Sequence, residues 1–215
     1  MGDRKSNTPW VQTYMGKAVD LINTVPEAIN LTDIAVHLSR NNRFNGATTI
    51  DCWSVADHSM LVRRVIMTMN SDADPFLEAY ALLHDAHEAY TGDITSPVKQ
   101  ALNVILRHAG CEIDPVEMLA THVQSAIHQR FGLPVHPSAA QKQAIADADL
   151  MALAIEKRAF MGPEPRPWLD TLPHELPVDP LPDAPRISAY VFSMTLKDIM
   201  MRAGLPVSYE AEVGS

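Results

Sequence analysis

The chain has 215 residues, 47% hydrophobic and 20% charged, the balance of a soluble globular protein that fills one domain. Its formal charge of −9 argues against the basic surface that binding to a nucleic acid polymer requires. No apolar run approaches the ~18 residues of a membrane helix, and the polar N-terminus lacks a signal-peptide core, so a cytoplasmic protein with no membrane association is expected. Cys52 and Cys111 form no CxxC pair and read as reduced, packed thiols.

Residues 1–9 read as a polar leader. Met1-Gly2 with Ser6 fits a myristoylation pattern and Asn30-Leu31-Thr32 a glycosylation sequon, but both are short and frequent by chance. Trp10 to Asp20 alternates weakly around Gly16, which predicts a short hairpin. A helix follows from about Leu31 to Ser39, with Thr32 or Asp33 near its start, and leads into the polar segment Arg40–Gly46.

Ser54-Val55-Ala56-Asp57 reads as a capping box that opens a helix to about Asn70, with His58 on the same face as Val62, Val65 and Met69. Asp74-Pro75 caps a helix predicted to run unbroken to about Tyr90. At ~100° per residue it places Leu77, Ala81, His84, Asp85 and Glu88 on one stripe and turns His87 away with Phe76, Tyr80 and Leu83. Ser96-Pro97 opens the next helix, with Lys99 in its first turn. Asp114-Pro115 caps another that ends at Gly132, and Ser138–Gln141 is a second capping box for a helix to about Met161. Residues 162–186 hold eight of the sixteen prolines and five acids, which predicts an extended arm rather than a core element. A final amphipathic helix spans about Ile187 to Ala203, its Met194, Met200 and Met201 suited to core or subunit contact. The chain reads as all-α, a single domain over 1–215 with its core at about 31–161.

The chemistry gathers in Leu82–Asp93, where His84, Asp85, His87 and Glu88 follow an apolar lead-in. Burying such groups is costly unless an ion or a ligand compensates them. His58 lies on an apolar face one helix earlier. Asp147 and Asp149 lie later, ~200° apart on their helix, so only one can face the site; periodicity favours Asp149 slightly. His108, His122 and His128 do not converge with His87 on a second metal site.

His58, His84-Asp85 and Asp149 resemble the H…HD…D signature of the HD-domain phosphohydrolases, a helical-bundle family. The finer resemblance is to bacterial 5′-deoxynucleotidases and phage dATP triphosphohydrolases, carried by "SRNNRFNG", "SVADHSMLV", "LLHDAHEAYTGDITSPVK" and "ADADLMALAIEKR". The resemblance implies that His58, His84, Asp85 and Asp149 bind one divalent metal; this mixed N/O donor set suits Mn, Fe, Co, Ni or Zn. It implies that Glu88 handles a proton, that Arg43 and Lys99 contact phosphate, and that Asp93 contacts the sugar. Phe44 stands where that branch carries Trp, which puts ribo/deoxy selectivity and base choice in doubt.

The expected activity is hydrolysis of the 5′-phosphoester of a (deoxy)nucleoside monophosphate. A dNTP triphosphohydrolase is the alternative, a guanosine tetraphosphate hydrolase a weaker one, and a catalytically silent nucleotide-binding module the non-enzymatic one. A homodimer is implied by the resemblance alone.

Overall fold

The computed structural model describes residues 8–168, 173 and 176–206. Most of the leader, the Met1-Gly2 motif and part of the proline-rich arm lie outside these residues. The chain is mainly helical with one small antiparallel sheet. β1 (Trp10–Gln12) and β2 (Ala18–Asp20) form the expected hairpin, pairing Val11 with Val19, and Gly16 at φ +74° turns the chain between them.

α1 (Leu31–Arg40) has Thr32 and Asp33 in its first turn and is capped by Asn30, whose side-chain oxygen accepts from Thr32 N–H at 2.7 Å and from Asp33 N–H. Asn30 is buried, so its part in the sequon is a structural one: it satisfies orphan amides at a helix start. α2 (Val55–Met69) opens on the expected Ser54/Asp57 box. His58, Val62 and Val65 are fully buried along it, while Met69, in its last turn, has left the core. α2 is the central helix: α1, α3 (Pro75–Leu83), α7 (Ala139–Phe160) and α8 (Pro185–Arg202) all pack against it.

The predicted continuous helix from Pro75 to Tyr90 is broken. α3 stops at Leu83 and a short α4 (Glu88–Thr91) resumes after a four-residue turn. Gln124, on α6 (Pro115–Arg130), accounts for the break. Its side chain accepts from His87 N–H at 3.1 Å and donates to Leu83 C=O at 2.8 Å, the two groups an α-helix would have joined directly. A side chain wedged into the backbone ladder is a recognised cause of kinks. Bonds of i→i−3 type, such as Glu88 N–H to Asp85 C=O at 3.0 Å, tighten the chain there.

α5 (Ser96–His108) carries Lys99 in its first turn, as predicted. One core is built from α1, α3, α6 and α8 around Leu38, Leu83, Ile127 and Phe192; a second lies between α2 and α7 around Trp53, Val65, Ile155 and Phe160. The proline-rich arm is more than a solvated strap, because Val178 is buried in this second core with Leu176 against it. Each such burial contributes about 1.5–3 kcal/mol, so α2 and α7 are fixed relative to each other before any ligand binds. In α8, Met200 is buried whereas Met194 and Met201 are exposed. No helix among the described residues is long and apolar enough to cross a membrane.

Candidate metal centre

Three helical segments bring the predicted ligands together. His58 projects from the first turn of α2, His84 and Asp85 from the turn after α3, and Asp149 from the middle of α7. His58 Nε2 lies 3.3 Å from His84 Nε2 and 3.1 Å from Asp149 Oδ1. His84 Nε2 lies 3.9 Å from the same Asp149 oxygen, and donor atoms of His58, His84 and Asp149 all fall within 4.8 Å of one another. Two donors each about 2.1 Å from one ion are about 3.0–3.4 Å apart at angles between octahedral and tetrahedral. The first two separations match that span and the third is wider, so the donor set fits a single cation with a somewhat open angle. Asp85 stands at its side, with Oδ2 3.1 Å from His84 Nε2, 3.7 Å from His58 Nε2 and 3.8 Å from the Arg43 guanidinium. Asp147 is exposed and accepts from Gln143 at 2.8 Å, which places Asp149 rather than Asp147 in the group.

The electrostatics favour positive charge at this centre. Burial opposes protonation of His84, but Asp85 and Asp149 outweigh it and raise its pKa to about 9. Burial likewise disfavours the Asp85 carboxylate, yet His84 and His58 hold its pKa well below the ordinary range. Protons thus occupy the place a cation would take; a divalent ion would displace them.

Glu88 opens α4 and is buried, with Oε2 lacking a hydrogen-bond partner. Burial, then the Asp85 and Asp93 charges, push its pKa up to about 9, so at neutral pH it carries a proton. Lys99, Gly92 and His87 line a cavity of about 210 Å³ with it. Asp93 follows Gly92, half-buried, its pKa raised first by burial. A second cavity, of about 400 Å³, is lined by His84 and Asp149 together with Gln124, His128 and Lys142.

His87 departs from its predicted place. The tightened turn swings it into the first cavity beside Glu88, its backbone N–H held by Gln124. His122 accepts from Thr24 N–H across the fold, and His128 bonds the nearby Val135 C=O.

Arg43 reaches the centre on a strained loop, where Phe44 and Asn45 adopt φ +56° and +54°. Phe44 lines neither cavity: it packs on the second core, and its ring tilts against Trp168 with centroids 5.8 Å apart. Three cations near the signature are engaged elsewhere: Arg63 with Glu78, Arg40 over Tyr14, and Lys157 with Glu164.

Sequence reasoning missed Glu156. It is fully buried on α7 and touches His58, Arg43 and Trp53. It lies seven residues after Asp149, about 20° from it around the helix, and this spacing was a signal to find it.

No protein-family model matches the chain. An uncharacterized protein of Rhodobacter capsulatus is 35% identical over 154 residues, 71% of this chain and 74% of that protein. The uncharacterized protein YfdR of Escherichia coli is 31% identical over 150 residues, 69% of this chain and 71% of its own. The chain belongs to the family of these two proteins. Neither relative's name states an activity, so function within this family is read from the chemistry of the centre.

Proposed function

We propose that this chain is an HD-type, metal-dependent phosphohydrolase that cleaves the 5′-phosphoester of a (deoxy)nucleoside monophosphate to nucleoside and phosphate. The observation that carries the reading is the convergence of His58, His84 and Asp149, with Asp85 beside them, next to a buried and protonated Glu88. His58, His84, Asp149 and Asp85 are the residues that would hold the ion. When bound, a divalent ion supplies Lewis-acid polarisation of a phosphoryl oxygen and acidifies water.

The chain's own groups supply the rest. Glu88, whose pKa burial and the Asp85 and Asp93 charges raise to about 9 in the metal-free protein, is suited to give a proton to the leaving 5′-oxygen and to take one back from water. Lys99 stands in the first turn of α5, where the positive end of the helix dipole also favours an anion. Arg43 offers a guanidinium at the edge of the centre, 3.8 Å from Asp85. Asp93 is the sugar contact in this reading, and Phe44, packed on Trp168, shapes the wall beside Arg43 rather than a cavity lining.

The charge census supports a monophosphate over a triphosphate. Among the described residues, Lys99 is the only Lys or Arg lining the first cavity and Lys142 the only one lining the second. A β,γ-phosphate tail would bring several negative charges to walls with few cations. Release of triphosphate from a dNTP is the second reading, and homodimer formation belongs to the proposal as well. A panel of mono- and triphosphates, ribo and deoxy, with product chain length identified, tests the substrate class; the account expects inorganic phosphate from monophosphates. Equal turnover by wild type and Asp85→Ala would reject the enzyme reading. Sedimentation of the purified chain tests the dimer.

A further inference from the structure

Glu156 is surrounded by donors. Its Oε1 accepts from the Trp53 indole N–H at 2.8 Å and lies 2.6 Å from His58 Nδ1; its Oε2 accepts from the Arg43 guanidinium at 3.2 Å. Indole and guanidinium can only donate, and Arg43 supplies the charge that keeps a buried carboxylate ionised. An ionised carboxylate can only accept, so His58 Nδ1 must carry a hydrogen. That leaves Nε2, the atom facing His84 and Asp149, as the lone-pair nitrogen of the neutral ring.

From this geometry we infer that Glu156 is a positioning residue that fixes the tautomer and ring plane of His58 for metal binding and, through its other oxygen, anchors Arg43. The inference rests on the metal reading of the centre. A carboxylate behind a ligating histidine orients the ring and raises its basicity. Here the same carboxylate also holds the cation assigned to phosphate, so one side chain sets the distance between ion and anion-binding group. α7 presents Asp149 to the centre directly and, two turns later, Glu156 to the back of His58. Trp53 stacks on Phe160 at 4.7 Å, which keeps the indole N–H aimed at Oε1. Loop 41–46 is tied to the same place by Arg43 N–H to Trp53 C=O at 2.9 Å.

Glu156→Gln keeps the volume but not the acceptors. Whichever way the amide turns, its NH2 group faces a donor, either Arg43 or the Trp53/His58 pair. The test combines Co²⁺ affinity, measured by chelator competition, with nitrogen-15 NMR of the imidazoles in the full chain. Wild type is expected to show a protonated Nδ1 on His58 with metal bound. Glu156→Gln is expected to melt cooperatively, to bind Co²⁺ about 10–100-fold more weakly, and to keep a raised KM when Co²⁺ is saturating. Trp53→Phe, which removes one donor and leaves His58 and Arg43 anchored, is expected to shift Co²⁺ affinity far less. A His58 hydrogen on Nε2 in metal-loaded wild type overturns the inference even if every variant fails to fold. Unchanged affinity in Glu156→Gln overturns it too. Wild type that binds no Co²⁺ overturns the metal reading instead, so the two failures are distinguishable.

Discussion

Two carboxylate clusters meet α2, one through Arg63 and one through His58, and they are built on opposite plans. At the first, Glu78 of α3 is wholly buried and takes two guanidiniums: Arg63 of α2 at 2.7 Å and Arg202 of α8 at 2.7 and 3.0 Å. Burial opposes its ionisation, but these two arginines more than compensate and lower its pKa. Every lone pair that matters is used, and three helices are tied together. At the second, Asp85, Asp149, Glu88 and Glu156 face Arg43 and two histidines. One acid is left protonated, with an oxygen that bonds to nothing. A charge cluster that satisfies itself holds a fold together, whereas one short of positive charge is where we propose that a cation and an anionic substrate bind.

The sharpest way to break that contrast is to remove a ligand. His84→Ala is expected to abolish metal binding and turnover while leaving a folded protein, as measured by metal content and phosphate release. Next comes the proton. Glu88→Ala is expected to keep the metal and lose about 10²–10⁴-fold in kcat; loss of metal content in that variant would make Glu88 a ligand. The self-satisfied cluster should respond in the other currency. Glu78→Ala is expected to destabilise by about 3 kcal/mol, the low end of the range because Arg63 and Arg202 are partly exposed and can hydrate. In denaturant melts the midpoint should fall, with kcat unchanged below it.

The pH response separates the clusters again. In the metal-free protein Glu88 and His84 both have folded-state pKa values of about 9, above their ordinary 4.5 and 6.5. A raised folded-state pKa means that the contribution to stability is full below the ordinary value and is lost as pH rises through the raised one. Melting temperature is therefore expected to fall between pH 6.5 and 9, and to fall less in Glu88→Gln. Metal affinity should rise over the same window, because the ion competes with the proton on His84. The smallest effect is expected from Gln124→Leu. Without the wedge, His87 N–H and Leu83 C=O can bond directly, and a modest loss of kcat should accompany a more helical spectrum.

The candidate donor set was legible because apolar neighbours at helical spacing mark His58, His84 and Asp149 as inward-facing, and burial of such groups demands a reason. The capping boxes at Ser54 and Ser138 were legible because they are local. The break at 84–87 was not: Gln124 acts across the fold, and nothing in Leu82–Asp93 announces it. This is also why His87 was turned the wrong way, since 100° per residue does not hold through a tightened turn. Glu156 was hidden for a different reason. Followed by Lys157 and Arg158 near a helix end, it reads as a solvated charge, and only its seven-residue spacing from Asp149 places it inward.

The central claim is that one cation, held by these histidines and aspartates, drives phosphoester cleavage. Its most direct test is phosphate release from a deoxynucleoside monophosphate during stepwise addition of Co²⁺ or Mn²⁺ to the stripped protein. The account predicts a rate that climbs to a plateau at one ion per chain in wild type and stays at baseline in Asp85→Ala. A rate independent of added metal, or the same in both proteins, would contradict it.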